Sequence, residues 1–215
     1  MPTVYEGKMD GSNAVRYFHY SLIRFYLDQG YEHSVKANEE CQPGVLQASS
    51  IIGIMFSVMS IEAFINETSE DLVEPEKLND FMFLRKEFKK AKGESSVVAK
   101  LKTLFDMKFG ASLNQELVDE VELSVQVRNN LVHYKLSELA GKHIMPPIKT
   151  IKGEGGQVMS CVDFTVEPER IDPPFISKVS GNEAARCFNS ALAAINFWGQ
   201  LMGIEDNVPG LKKIT

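Results

Sequence analysis

Apolar residues recur at helical spacing along most of the chain. From Asn13 to Gln29, Val15, Phe18, Leu22, Phe25 and Tyr26 share one side of a helix. Gly30 is expected to stop that helix, with a loose arm over residues 1–10 before it and a polar connection from Tyr31 to Gly44 after it. A long helix follows from about Val45 to Leu72. Its broad apolar face of Ile51, Ile52, Met55, Phe56, Met59 and Phe64 predicts a central place in the fold. Pro75 ends it or opens the next element. Two shorter amphipathic helices are expected, roughly Lys77 to Lys92 and Ser95 to Lys108, separated by Gly93 and closed by Gly110. A second long helix runs from Asn114 to about Leu139, with Leu117, Val121, Val125, Leu131 and Val132 in one apolar stripe. The last helix spans about Gly181 to Met202, and Gly203 provides its stop.

The period changes between the last two helices. Residues 141–174 are rich in Gly and Pro, and Val158, Ser160, Val162, Phe164 and Val166 follow a glycine-rich turn at Gly153–Gly156. That is a β-hairpin pattern, with Pro146 and Pro147 confining its first strand to an edge. The expectation is a mainly α protein: a helical bundle with two long central helices and a small inserted β-hairpin, one domain over residues 1–215.

Composition narrows the class. A chain of 215 residues with 44% hydrophobic and 24% charged residues can bury an ordinary core. No run approaches the eighteen or so apolar residues of a membrane span, and the N-terminus lacks the pattern of a secretory leader. Cys41, Cys161 and Cys187 are odd in number and scattered, which argues against a disulfide scaffold or a structural zinc site. The expected location is cytoplasmic, with reduced thiols and no membrane partner. The net charge of -6 speaks against broad nucleic-acid binding. The exception is the stretch from Arg85 to Lys108, where Arg85, Lys86, Lys89, Lys90, Lys92, Lys100, Lys102 and Lys108 face only Glu87, Glu94 and Asp106. Such a run is ordinarily a solvated helix face, and here it is also the place where a polyanion would bind.

Candidate chemistry concentrates on the second long helix. With Leu117 at zero on the helical wheel, Val121 lies at about 40°, Val125 at about 80° and Arg128 at about 20°. Arg128 therefore rises from the middle of the apolar stripe and needs a carboxylate, a ligand or a wet cleft beside it. Asn129 and His133, four apart, share a neighbouring face. A guanidinium binds phosphate oxygens, and an imidazole exchanges protons near neutral pH. On the first long helix Glu62 and Asn66 are also four apart. Glu62 interrupts the run Ile61-Glu62-Ala63-Phe64-Ile65 and is the natural partner of Arg128. A structural ion pair fixing helix register would use the same two residues. His19, His33 and His143 lack a second ligand at helical spacing, so neither a metal nor a cofactor is expected. Phe197 and Trp198 read as core or as a dimer contact.

The run Arg128-Asn129-Asn130-Leu131-Val132-His133 resembles the signature of the HEPN superfamily: an arginine, a polar residue, and a histidine four to six positions on. Ser60 to Glu67 is similar to the helix that many of these proteins pack against the motif helix. The resemblance covers the bundle, roughly Asn13 to Leu139 and the last helix, and leaves out the hairpin. It implies a metal-independent endoribonuclease, toxin- or phage-defence-like, acting on RNA as a homodimer, with an antitoxin or other protein as a possible partner. By the same resemblance, catalysis would rest on Arg128 (transition-state charge), Asn129 (orientation) and His133 (proton transfer), supported by Glu62 and Asn66. The superfamily also contains non-catalytic modules that dimerise or bind a ligand or protein partner. That is the alternative expectation.

Overall fold

The computed structural model describes residues 2–40, 47–110, 112–204 and 208–215. Cys41 and the expected start of the long helix before Gln47 lie outside the described residues. The elements in chain order are β1 (Pro2–Asp10), β2 (Asn13–Tyr20), α1 (Ile23–Glu39), α2 (Ala48–Leu72), α3 (Pro75–Met82) and α4 (Ser96–Phe109). They continue with α5 (Gln115–Val132), β3 (Lys142–Ile144), β4 (Ile148–Lys152), β5 (Val158–Val162), β6 (Glu169–Ile171), α6 (Pro174–Ser177) and α7 (Gly181–Leu201). The protein is a mainly α bundle with small antiparallel β-hairpins, in which α2 and α5 are long helices as expected.

The first helix corrects the sequence reading twice. The arm and the first half of the expected Asn13–Gln29 helix are instead a hairpin, β1 pairing antiparallel with β2. Its turn is Asp10-Gly11-Ser12-Asn13, with Gly11 at φ +61°, and an Asp-Gly pair between strands is a strong hairpin signal. The residues Val15, Tyr17, Phe18 and Tyr20 favour strand as well as helix. Helix α1 then runs through Gly30 and takes up most of the expected polar connection. Gly30 does not stop it because its work is packing: a Cβ there would meet the Ser57 Oγ at 2.9 Å.

Close approach explains this helix. Gly30, Ser34 and Ala37 form a buried stripe on α1, in which Gly30 faces Ser57 and Ser34 faces Gly53 of α2, while Ala37 faces Gly181 of α7. A Cβ on Gly53 would lie 2.6 Å from the Ser34 Oγ, and one on Gly181 would lie 2.5 Å from the Ala37 carbonyl oxygen. Small residues thus let α1, α2 and α7 come together backbone to backbone. These buried hydroxyls find backbone acceptors: within α2, Ser57 donates to the Gly53 carbonyl at 2.6 Å and Ser60 to the Ser57 carbonyl at 2.6 Å, and across to α7 Ser34 donates to the Ala184 carbonyl at 3.1 Å. By length and composition α2 could cross a membrane, contrary to the expectation above. In this fold it is a core helix, with Ile54, Val58, Ile61, Phe64 and Ile65 buried.

At the other end of the bundle an aromatic cluster closes the core. Phe105 packs edge-on to Trp198 at 4.9 Å and stacks on Phe197 at 5.7 Å, while Phe64 meets Trp198 at 5.3 Å. The tail beyond α7 is held by side chains of α1 and α7. Arg24 donates to the Pro209 carbonyl at 2.7 Å, Asn189 brackets the Ile214 backbone with two bonds of 2.9 Å, and Asn38 reaches the Thr215 carbonyl at 3.4 Å.

Two further helices differ from expectation. The expected Lys77–Lys92 helix stops at Met82, because Leu84 and Lys86 take positive φ of 49° and 51°. A single 3-10 turn at Lys86–Phe88 follows. Helix α5 ends at Val132 rather than near Leu139; a 3-10 turn covers Leu136–Leu139. The inserted hairpin is present in two sections, β3 with β6 and β4 with β5, and the Gly153-to-Gln157 turn closes it.

Candidate functional site

Arg128 sits on α5 two turns after Val121 and one after Val125, both of which are buried. Periodicity therefore carries its side chain into the seam with α2, where its Nη2 donates to Glu62 Oε1. The Arg128 side chain is 20% exposed and that of Glu62 37% exposed. The pairing read from the sequence is the pairing in the fold. It does not exhaust the guanidinium: the Arg128 Nε is buried and has no hydrogen-bond partner.

His133 caps the C-terminus of α5. Its backbone N–H bonds the Asn129 carbonyl at 2.9 Å, and its backbone leaves the helix at φ -119°. The side chain is exposed. Beyond it the chain turns away and Tyr134 docks on Phe175 of α6, ring centres 6.0 Å apart. Five residues on a helix separate two side chains by about 7.5 Å along the axis and about 140° around it. Arg128 and His133 therefore border the same end of α5 without facing the same way.

Asn129 is half-buried and its side chain makes no hydrogen bond among the described residues. Asn66 is exposed one turn beyond Glu62 on α2, and its carbonyl accepts from Ser69 at 2.9 Å. The fold thus joins Glu62 to Arg128 and leaves Asn66 at the rim.

A third charged group borders this seam, one that the sequence reading counted only within the basic stretch from Arg85 to Lys108. Lys100 of α4 is half-buried; burial lowers its pKa, and the nearby Glu62 carboxylate opposes that shift. The signal was available. Lys100 falls three residues after Val97 and four before Leu104, within the buried stripe of α4, so it breaks an apolar face as Arg128 does.

Other reactive groups offer less. Cys187 is buried and its thiol is pushed up to about 11, chiefly by desolvation, which leaves it protonated and inert at neutral pH. Among the described residues no cluster of three or more His, Cys, Asp or Glu side chains could hold a metal. Among the described residues the surface is indented by cavities that include the following. One of about 870 Å³ lies between α7, the start of α5 and the tail; one of about 460 Å³ is bordered by Arg24, Asp71 and Trp198; one of about 390 Å³ lies at the root of the inserted hairpin. Arg128, Asn129 and His133 do not line these cavities. Comparison with known families, with curated proteins and with solved structures finds no match to this chain.

Proposed function

We propose that this chain is a HEPN-like, metal-independent endoribonuclease of the toxin or phage-defence kind, working as a homodimer in the cytoplasm. The observation that carries the reading is the end of α5: a guanidinium held in place by Glu62 with a buried N–H left over, and an exposed imidazole five residues on. RNA brings its own nucleophile, so the site need supply only charge and proton transfer. The ribose 2′-oxygen attacks the adjacent phosphorus and gives up its proton. The bond to the 5′-oxygen breaks, and that oxygen takes up a proton. The products are a 2′,3′-cyclic phosphate and a 5′-hydroxyl. His133 carries one of these protons, Arg128 stabilises the extra negative charge on phosphorus-bound oxygens, and Asn129 orients the phosphate. The divergence of Arg128 and His133 around the helix is the physical reason for invoking a second copy: another surface must close the cleft over the RNA.

One observation favours a second reading. The Arg128–Glu62 pair lies within one chain and satisfies both charges without any ligand, as a non-catalytic HEPN-like module that dimerises or binds a partner would require. RNA cleavage in EDTA separates the two. On the nuclease reading the parent yields cyclic phosphate ends, and Arg128→Ala or His133→Ala abolishes cleavage while helix content stays unchanged. Equal cleavage by His133→Ala, or none by a well-folded parent against total cellular RNA, sinks the nuclease reading in favour of the module.

A further inference from the structure

The charge of this molecule is unevenly distributed. Between Phe83 and Lys92 it carries Arg85, Lys86, Lys89, Lys90 and Lys92 against Glu87 alone, in a chain whose net charge is -6. This segment is not the solvated helix face that such a run ordinarily makes. Helix α3 has already ended, and Leu84 and Lys86 hold positive φ, a costly conformation for residues with a Cβ. The segment is pinned by Phe88, which is buried edge-on to Phe81 at 5.5 Å. With Phe88 inward, all five cations are exposed.

Few of them are neutralised. Lys86 pairs with Asp80 at 2.5 Å, and Lys90 donates to the Glu94 carbonyl at 2.8 Å. Arg85, Lys89 and Lys92 have no ion pair among the described residues. Phe83 is 65% exposed, and the Arg85 guanidinium lies 5.1 Å from its ring centre. An exposed aromatic ring with a stacked guanidinium, set among lysines, is a surface on which unpaired bases stack while phosphates meet the cations.

The position is as telling as the chemistry. The segment leads into α4, whose cap residue Ser95 donates its backbone N–H to Glu122 of α5 at 3.0 Å. Glu122 precedes Arg128 by six residues, about 9 Å along the helix. One turn further along α4, Lys100 stands close enough to the Glu62 carboxylate to feel its charge. The exposed cations therefore lead into α4, whose half-buried Lys100 lies within the buried stripe of Val97 and Leu104, on a helix that packs against the Glu62 helix α2.

We infer that Phe83–Lys92, continued by Lys100, is a docking surface for single-stranded RNA that delivers the strand to Arg128. The choice of RNA over another polyanion rests on the nuclease reading, while the surface itself rests on exposure, charge and stacking geometry.

The test measures binding of a short labelled single-stranded RNA by fluorescence anisotropy, with His133→Ala as the parent so that binding is read apart from cleavage. Helix content is checked for each variant. The combined variant Arg85→Glu/Lys89→Glu/Lys92→Glu should bind roughly tenfold or more weakly and show a shallower salt dependence. Phe83→Ala should weaken binding by roughly tenfold through lost stacking. Lys142→Glu/Lys152→Glu/Lys178→Glu makes the same change in net charge elsewhere and should bind like the parent. Equal binding by the two triple variants would overturn the inference. So would a parent that ignores RNA yet binds phosphatidylserine vesicles through the same residues. RNA binding through this surface by a protein that never cleaves would uphold the inference and reject the nuclease reading. With His133 restored, cleavage unchanged by the triple reversal, together with RNA binding indifferent to it, would do the opposite.

Discussion

Arg128 and Glu62 are unequal members of one pair. The guanidinium is the more buried, so losing its carboxylate leaves a charge with little water, whereas losing the guanidinium leaves a carboxylate more than a third exposed. Glu62→Ala should therefore cost about 1–2 kcal/mol and Arg128→Met about 1 kcal/mol or less. Urea unfolding of both variants checks the order, and a larger loss from Arg128→Met would contradict it. This pair was legible in the sequence, because each residue is a charge set in an apolar stripe. Lys100 was equally legible by that rule. The place of His133 at a helix end was not, because the apolar period continues through Leu131 and Val132 with no glycine or proline after it, while the chain beyond turns to set Tyr134 against Phe175, a contact distant in sequence.

Glycine has opposite meanings in different elements. Gly110 ends α4 in the left-handed conformation, as its position after an amphipathic run indicated. Gly30 reads identically in the sequence but is a contact surface inside α1. A helical period tells which residues share a face; it cannot tell whether a small residue there marks an end or a close neighbour. Gly53 supplies the test. Alanine is the better helix former by about 1 kcal/mol, yet its methyl would displace the Ser34 hydroxyl and crowd Ala184. Gly53→Ala should lower stability by about 1–3 kcal/mol, seen as a lower midpoint in thermal unfolding followed by circular dichroism. A higher midpoint would mean that the seam has room. The β1–β2 hairpin was missed for a related reason: residues 13–20 satisfy both periods, and only the Asp10-Gly11 pair decides between them.

At the scale of the whole molecule, the inserted hairpin contributes nothing to the bundle's hydrophobic core. The hairpin strands are almost wholly exposed, with Ile148 72% and Phe164, just beyond β5, 83% accessible. Its two ends meet at the root, where a Cβ on Gly141 would lie 3.3 Å from both the Ile171 carbonyl oxygen and the Pro173 ring. Replacing Lys142–Ile171 by a short Gly-Ser linker should leave helical signal and cooperative unfolding intact, with the midpoint moved by a few degrees at most; loss of cooperativity would show that the hairpin supports the core. The sequence announced this insertion through its change of period and its Gly and Pro content. It could not announce that both faces of the hairpin stay largely exposed.

The seam that joins α1 to α7 also sets an order of events during synthesis. Helices α1 and α2 leave the ribosome well before α7, yet the third surface of their small-residue contact is Gly181 and Ala184, some 150 residues after Ser34. Until α7 has been made, the stripe of Gly30, Ser34 and Ala37 has only half its lining, and the long apolar helix α2 is partly bare. The growing chain carries that exposed surface throughout the synthesis of the residues between α2 and α7, the interval in which chaperones that shield apolar helices have most to bind.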